Sequence, residues 1–292
     1  MTRLLTRLMD AQNGWAKPLG DAVHGLLNRI FQSPLRPLKD LLNGTWLGHP
    51  IHAAITDIPI GALTVTVILD LANQRAAADI ALVIGILAML AAALAGFADY
   101  TDTDGTARTR ASLHSTLMIV ALVVYLISLA QRAGDPVDRT VPVVLSIVGY
   151  LILTAAAYVG GDVVYALGNM VSRHAFRGSG RKWLALEVEG VAEPVDLAAL
   201  PEGEPVKGKV GINAIVLVRV AGVVHALHET CAHAGGPLAE GRVVDGCIEC
   251  PWHQSRFRLR DGEVCQGPAV YAQPTYEVRR SESGGWEARR AS

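Results

Sequence analysis

Four stretches of the chain are apolar almost without interruption: residues 51–72, 80–98, 113–130 and 141–160. Each is about as long as the roughly 20 residues that a helix needs to cross a hydrocarbon core. The third, LHSTLMIVALVVYLISLA, carries no formal charge after His114. Helices buried in a soluble bundle keep a polar face, and these barely have one, so the pattern predicts four membrane-spanning helices. Their connections are short and polar. From Trp183 the period changes to two. AIVLVRV-AG-VVHAL reads as a hairpin turning at Ala221 and Gly222, and VYAQPTYEVR and GGWEAR read as further short strands. The expected fold is a membrane α-helical bundle of four transmembrane helices followed by a small all-β domain. The expected divisions are an amphipathic N-terminal segment at 1–48, the membrane domain at 49–161, a linker at 162–182 containing the GSG of residues 178–180, and the β domain at 183–292.

In the N-terminal segment, Val23, Leu26, Leu27, Ile30 and Phe31 follow helical spacing, and SPLRP at residues 33–37 ends the run. Such a helix lies along a membrane surface, or packs on the bundle, or packs on a second copy of the chain, which would make a homo-oligomer. Hydrophobic residues make up 51% of the chain and charged residues 18%, below the usual quarter. The net charge of −1 lacks the basic surplus of a nucleic-acid binder. Arg3 and Arg7 interrupt MTRLLTRLMD and no small-residue cleavage site follows, so no cleaved signal peptide is expected. Arginine outnumbers lysine 21 to 5 amid abundant alanine, which points to a GC-rich bacterial source.

Loop charge predicts orientation. Arg3, Arg7, Lys17, Arg29, Arg36 and Lys39 precede the first span, Arg108 and Arg110 separate the second from the third, and Arg173, Arg177, Arg181 and Lys182 follow the fourth. The other two loops hold only Arg75, Arg132 and Arg139. The positive-inside rule places both termini, and the β domain, on the cytoplasmic side of a bacterial inner membrane.

All four cysteines fall between Cys231 and Cys265, interleaved with histidine, and this clustering points to metal. CAHAGGPL starts at Cys231 and CPWHQSRF at Cys250. Two thiolates and two imidazoles suit a tetrahedral zinc and equally a [2Fe–2S] cluster with both histidines on one iron. The zinc-finger order is commonly two cysteines and then two histidines, whereas each segment here offers one of each.

CAHAGGPLAEG, CPWHQSRF and the GPA at residues 267–269 resemble the Rieske ferredoxin-like domain over residues 183–290. The resemblance implies that Cys231 and Cys250 bind one iron of a [2Fe–2S] cluster and His233 and His253 the other. It implies loop glycines at Gly235, Gly236 and Gly262. Gln254 departs from the glycine usual after the second histidine. Cys247, three before Cys250, becomes a strand residue outside the ligand set, and a Cys247–Cys265 disulfide is not expected in a reducing compartment. Family members of high potential tie their two loops with a disulfide and aim a tyrosine hydroxyl at the cluster. This chain has Gly236, Trp252 and Phe257 at those places, with Ser255 left to bond a sulfur, so a low-potential cluster is expected. His225 and His228 read as ordinary strand residues, with no mononuclear iron site for oxygenase chemistry.

The first span opens with HPIHAAITDIPIGA. Helical spacing puts His49, His52 and Thr56 on one face, and Asp57 is an ionisable residue in an apolar run, a functional candidate by default. His114 opens the third span, Asp99 ends the second and Asp162 follows the fourth. Three readings stand: a haem b held by His52 and His114, with His49 as a substitute ligand and Asp57 orienting an imidazole; helix capping and pairing with Asp57 or Asp99; and a quinone or non-haem metal site. HP-I-H followed by D-I-P-I-G resembles, over residues 48–161, a group of bacterial four-span membrane proteins known only as a domain of unknown function. The expected function is a lipid-embedded Rieske protein passing single electrons between an unknown redox partner and a membrane acceptor such as quinone. A tethered ferredoxin serving a soluble oxygenase or reductase competes with it, as does a non-enzymatic redox sensor.

Overall fold

The computed structural model describes residues 2–31, 34–174, 182–190, 196–282 and 284–291. Ser33, Arg177, Arg181 and the GSG at residues 178–180 lie outside them. The chain forms two compact units: Met1–Asn43 with Pro50–Asn169, and Gly44–His49 with Met170–Ser292.

The first unit is helical: α1 (Thr2–Asp10), α2 (Asn13–Ile30), α3 (Arg36–Asn43), α4 (Ile51–Ile55), α5 (Asp57–Leu71), α6 (Arg75–Tyr100), α7 (Gly105–Gln131) and α8 (Thr140–Gly161). Among the described residues, four helical segments are long and apolar enough to cross a membrane: Ile51–Leu71, Arg75–Tyr100, Gly105–Gln131 and Thr140–Ala166. The first ends one residue short of its expected stretch and the other three run past theirs, because helical hydrogen bonding continues into the polar flanks. Successive spans pack side by side, and α5 also packs on α8, closing a four-helix arrangement. Leu63, Leu82, Ile86, Met89, Ala121, Tyr125 and Leu153 fill its centre. Gly149 admits the Tyr125 ring, since a Cβ there would lie 3.0 Å from it.

Polar networks tie both ends. At one, Arg132 bonds Asp70 at 2.6 Å, Asp79 at 2.9 Å and the Ser146 hydroxyl at 2.9 Å, and Arg139 bonds Asp79 and Asp135. These carboxylates pair with all three basic residues of that side, since Arg75 also lies 3.7 Å from Asp135. At the other end, Lys39 pairs with Asp102 at 2.5 Å and Asn43 bonds the same carboxylate. The N-terminal helix packs on the bundle through small residues. Ala16 and Gly20 are its buried positions, the Tyr100 hydroxyl donates to the Gly20 carbonyl, and Arg108 pairs with Asp21 at 3.0 Å. The apolar stripe read from the sequence is not this packed face, as Leu26 and Ile30 are exposed.

The second unit is β. Six strands close a barrel in the order β1 (Leu184–Val188), β10 (Trp286–Arg290), β9 (Thr275–Arg280), β4 (Val223–His228), β3 (Asn213–Val220) and β2 (Pro205–Val210). The β3–β4 hairpin turns at Ala221 and Gly222, both at positive φ, as a two-residue primed turn requires. Between β4 and β9 the chain leaves the barrel to form a four-stranded sheet of β5 (Arg242–Val244), β6 (Cys247–Glu249), β7 (Arg256–Arg258) and β8 (Val264–Gln266). Alternation along β6 sends Ile248 into the core with Leu238, Phe257 and Leu227. Cys247, on the other face, is paired with Cys265 of β8 as a disulfide. This corrects the expectation that the two remain unlinked. β7 alone separates their strands, an arrangement that the sequence does not display.

Candidate metal centre

Two loops of the small sheet carry the candidate ligands: residues 229–241, joining β4 to β5, and residues 250–255, joining β6 to β7. They share one backbone plan. The Cys231 amide donates to the Gly236 carbonyl at 2.8 Å, and the Gly235 amide returns to the Cys231 carbonyl at 3.0 Å. In the second loop the Cys250 amide donates to Ser255 at 2.9 Å, and the Gln254 amide returns to Cys250 at 3.1 Å. The residue four past each cysteine turns left-handed: Gly235 at φ +87 and Gln254 at φ +62. The second loop thus keeps its turn with a non-glycine residue, and the departure at Gln254 leaves the loop plan unchanged.

The shared plan also serves the sulfurs. The Cys231 Sγ receives backbone hydrogen bonds from His233 and Ala234, and the Cys250 Sγ from Trp252 and His253. Both cysteines are 1% exposed and are the free thiols among the described residues. The Cys231 thiol donates to Cys250, which draws Cys250 down to about 7, and the same bond with burial pushes Cys231 well up. The His233 and His253 rings stand nearly perpendicular, 4.9 Å apart between centroids. His233 is buried, His253 half-buried, and Trp252 beside it is 54% exposed. The sulfur side of the site is therefore interior and the imidazole side reaches the surface.

A cradle surrounds these donors. A Cβ on Gly236 would lie 2.7 Å from the Cys250 sulfur and 3.1 Å from the Trp252 ring. Among the described residues no three histidine, cysteine, aspartate or glutamate side chains close on one ion. The donors fit two metal ions taking two ligands each better than one tetrahedral zinc. Gly262 lets the chain pass Gln273, whose carbonyl a Cβ would overlap. Gln273 in turn accepts the Ala232 amide at 2.8 Å and donates to the Thr230 carbonyl at 2.8 Å. His174 adds a contact to the same carbonyl at 2.9 Å and lies 4.6 Å from the His228 ring. Neither Gln273 nor His174 stands out in the sequence, because both act on backbone atoms distant in the chain. Ser255 is fully buried and its Oγ accepts the Ala269 amide at 3.0 Å. Burial pushes Glu249 up, but Arg256 and Arg242 more than offset that and hold it below the usual carboxylate range.

In the helical unit, His52 and His114 come together, with ring centroids 6.3 Å apart. His49 precedes α4, which starts at Ile51, so it shares no helix face with His52. Asp57 is exposed and opens α5, after a break at Thr56. Asp99 is buried in the last turn of α6, and Asp162 lies 3.5 Å from Arg110. The imidazoles bond to backbone carbonyls, Ala92 for His52 and Ala156 for His114, rather than to Asp57 or Asp99.

Comparison with known proteins finds two families. Residues 191–277 match the Rieske [2Fe–2S] domain, and residues 48–173 match a family described as "Predicted membrane protein (DUF2231)". The ferredoxin subunit of anthranilate 1,2-dioxygenase from Burkholderia cepacia is 35% identical over 78 residues, 27% of this chain and 72% of that protein. The ferredoxin component of the naphthalene 1,2-dioxygenase/salicylate 5-hydroxylase systems of Ralstonia sp is 34% identical over 29% of this chain and 80% of that protein. Human apoptosis-inducing factor 3 is 30% identical over 27% of this chain but only 13% of its own length. Among solved structures, the ferredoxin of carbazole 1,9a-dioxygenase from Nocardioides aromaticivorans IC177 is 29% identical, with a TM-score of 0.30, covering 34% of this chain and 93% of that one.

Proposed function

Because the chain belongs to the Rieske [2Fe–2S] family, we propose that it is a membrane-anchored electron carrier in which Cys231 and Cys250 hold one iron and His233 and His253 the other. The observation that carries this reading is the meeting of two buried thiols and two imidazoles from two loops of the same plan, in a chain with four membrane-length helices. When bound, such a cluster takes up and releases one electron at a time. The chain's own groups prepare it for that task. Paired backbone amides point at each sulfur and stabilise negative charge there. The half-buried His253 gives the site an edge open to a partner.

The excess of basic residues in the flanking loops favours both termini on the cytoplasmic side of a bacterial inner membrane. A soluble redox protein exchanges electrons at the imidazole edge, and a membrane acceptor such as quinone completes the path, with a haem b in the bundle as carrier. The dioxygenase ferredoxin relatives favour a second reading, a tethered ferredoxin feeding a soluble oxygenase.

Electron paramagnetic resonance of the dithionite-reduced full chain in detergent tests the cluster. The Rieske signal is expected in the wild type and in Cys247→Ser, and its loss is expected in Cys231→Ser and Cys250→Ser. Loss in Cys247→Ser with retention in Cys250→Ser overturns the assignment. The midpoint is expected toward the low end of the Rieske range, near about −150 mV. Reduction of a quinone analogue by the prereduced protein in liposomes supports the membrane acceptor. Its failure, with turnover of an added ring-hydroxylating oxygenase, supports the tethered ferredoxin.

A further inference from the structure

We infer that the helical bundle contains a haem site whose two axial ligands are His52 and His114. The inference names the place and ligands of the membrane carrier in the electron-transfer reading and rests on that reading for its purpose, but its structural grounds lie wholly within the helical unit.

The two histidines occupy equivalent positions in two helical hairpins. His52, on α4, reaches the Ala92 carbonyl of α6 at 2.8 Å. His114, on α7, reaches the Ala156 carbonyl of α8, also at 2.8 Å. In each case the carbonyl lies four residues before a glycine that meets the ring. A Cβ on Gly96 would sit 3.0 Å from His52 Cε1 and Nδ1, and one on Gly160 would sit 2.9 Å from His114 Nδ1. Each imidazole thus rests on helix backbone bared by a glycine, and a side chain there would displace the ring.

The hydrogen bond fixes the tautomer. A carbonyl only accepts, so Nδ1 must carry the proton, and Nε2 of each neutral ring keeps its lone pair. Metal-ligating histidines are held this way, with the second nitrogen donating to a carbonyl or carboxylate. A histidine kept for pairing with Asp57 or Asp99 would spend its donor on a carboxylate, and neither of these does so. The ring separation agrees. Two imidazole nitrogens on one metal at about 2.0–2.1 Å each, with roughly 1 Å more from nitrogen to ring centre, place the centroids about 6 Å apart. The observed separation is 6.3 Å.

Most transition-metal ions take four or more ligands, and no third metal-binding side chain joins the two imidazoles among the described residues. The ligand therefore brings its own donors. An iron porphyrin supplies four ring nitrogens, leaves two axial positions, and presents an apolar body suited to membrane helices.

The test is a pyridine haemochrome assay on the full chain, purified from membranes of a haem-producing bacterial host, with the Rieske resonance read on the same sample. One haem b per chain is expected. His52→Ala and His114→Ala should each lower haem content by about tenfold or more, while the Rieske resonance and the haem of His49→Ala stay unchanged. A folded, haem-free protein with an intact cluster overturns the proposal, as does haem retained in both alanine variants, or a different metal bound stoichiometrically and lost from them. If an alanine variant fails to insert, the haem-depleted wild type is titrated with hemin. Saturable one-to-one binding with a low-spin spectrum is expected, and its absence overturns the site. Loss of the cluster with haem retained would count against the Rieske ligand assignment and leave the haem site standing.

Discussion

Alanine at Gly236 separates two reasons for a glycine in the first cluster loop. Gly236 is needed for space: its Cβ would lie 2.7 Å from the Cys250 sulfur. An ordinary contact is about 3.5–4.0 Å, so the sulfur must retreat by about 1 Å. It is not free to do so, because the Trp252 and His253 amides hold it and the Cys250 amide is bound to Ser255. Metal sites tolerate displacements of about 0.2 Å, so the retreat costs the cluster its ligand, besides an overpacking penalty of about 1–3 kcal/mol. Gly235, the neighbour, is needed for its backbone angle. At φ +87 an alanine costs about 1–2 kcal/mol, while its Cβ would meet only the Thr230 methyl at an ordinary 3.6 Å. Gly236→Ala should therefore lose most of its cluster, read as iron, sulfide and Rieske resonance per chain. Gly235→Ala should keep the cluster but unfold at a lower temperature, and Gly235→Asn, which tolerates the left-handed region, should recover part of that loss. Full cluster occupancy in Gly236→Ala, or identical behaviour of the two alanine variants, would refute the reasoning.

Gln254→Gly should relieve left-handed strain and raise stability by about 0.5–1 kcal/mol net of glycine's greater chain entropy, with an unchanged resonance; a lower thermal midpoint would contradict this. Arg132→Ala leaves Asp70 buried without its cation, the two side chains being 2% exposed, and should destabilise the bundle by about 3–5 kcal/mol in detergent unfolding; an unaltered midpoint would show the network to be dispensable. Burial lowers His225 below its ordinary 6.5. As pH falls below that value the unfolded chain gains a proton that the folded chain refuses, so stability declines. Unfolding of the wild type and His225→Gln from pH 8 to pH 5.5 should show a steeper decline in the wild type, and parallel curves would refute it.

The elements most legible in the sequence are those whose signal is local. The four spans show through apolar length, the β3–β4 hairpin through alternation around Ala221 and Gly222, and the cluster loops through cysteine–histidine spacing. The three-residue strands β5 to β8 are too short to display a period. The face of α2 that meets the bundle is a small-residue face, Ala16 and Gly20, which hydrophobic spacing does not mark. The partners of His52 and His114 are main-chain carbonyls, and any residue type has one. The same limit hid Gln273. A carboxylate such as Asp57 is conspicuous in an apolar run, whereas the structure uses the carbonyls of Ala92 and Ala156.

Both candidate sites are made by repeating one local device. In the cluster loops, a cysteine is followed by two amides that reach back to its sulfur and by a left-handed residue four places on. In the bundle, a histidine leans on a carbonyl four places before a glycine. The repeats are imperfect where the side chains differ in reach. His233 lies two residues after its cysteine and His253 three, and the rings end up nearly perpendicular. His52 sits on the one-turn helix α4, just before the chain breaks at Thr56, whereas His114 lies nine residues into continuous α7, about 14 Å along it. A rhombic two-iron cluster presents two equivalent sides to the protein, and so would the planar macrocycle proposed for the bundle. Doubling a short unit meets that requirement with little sequence, which is why each half looks unexceptional until its partner is placed beside it.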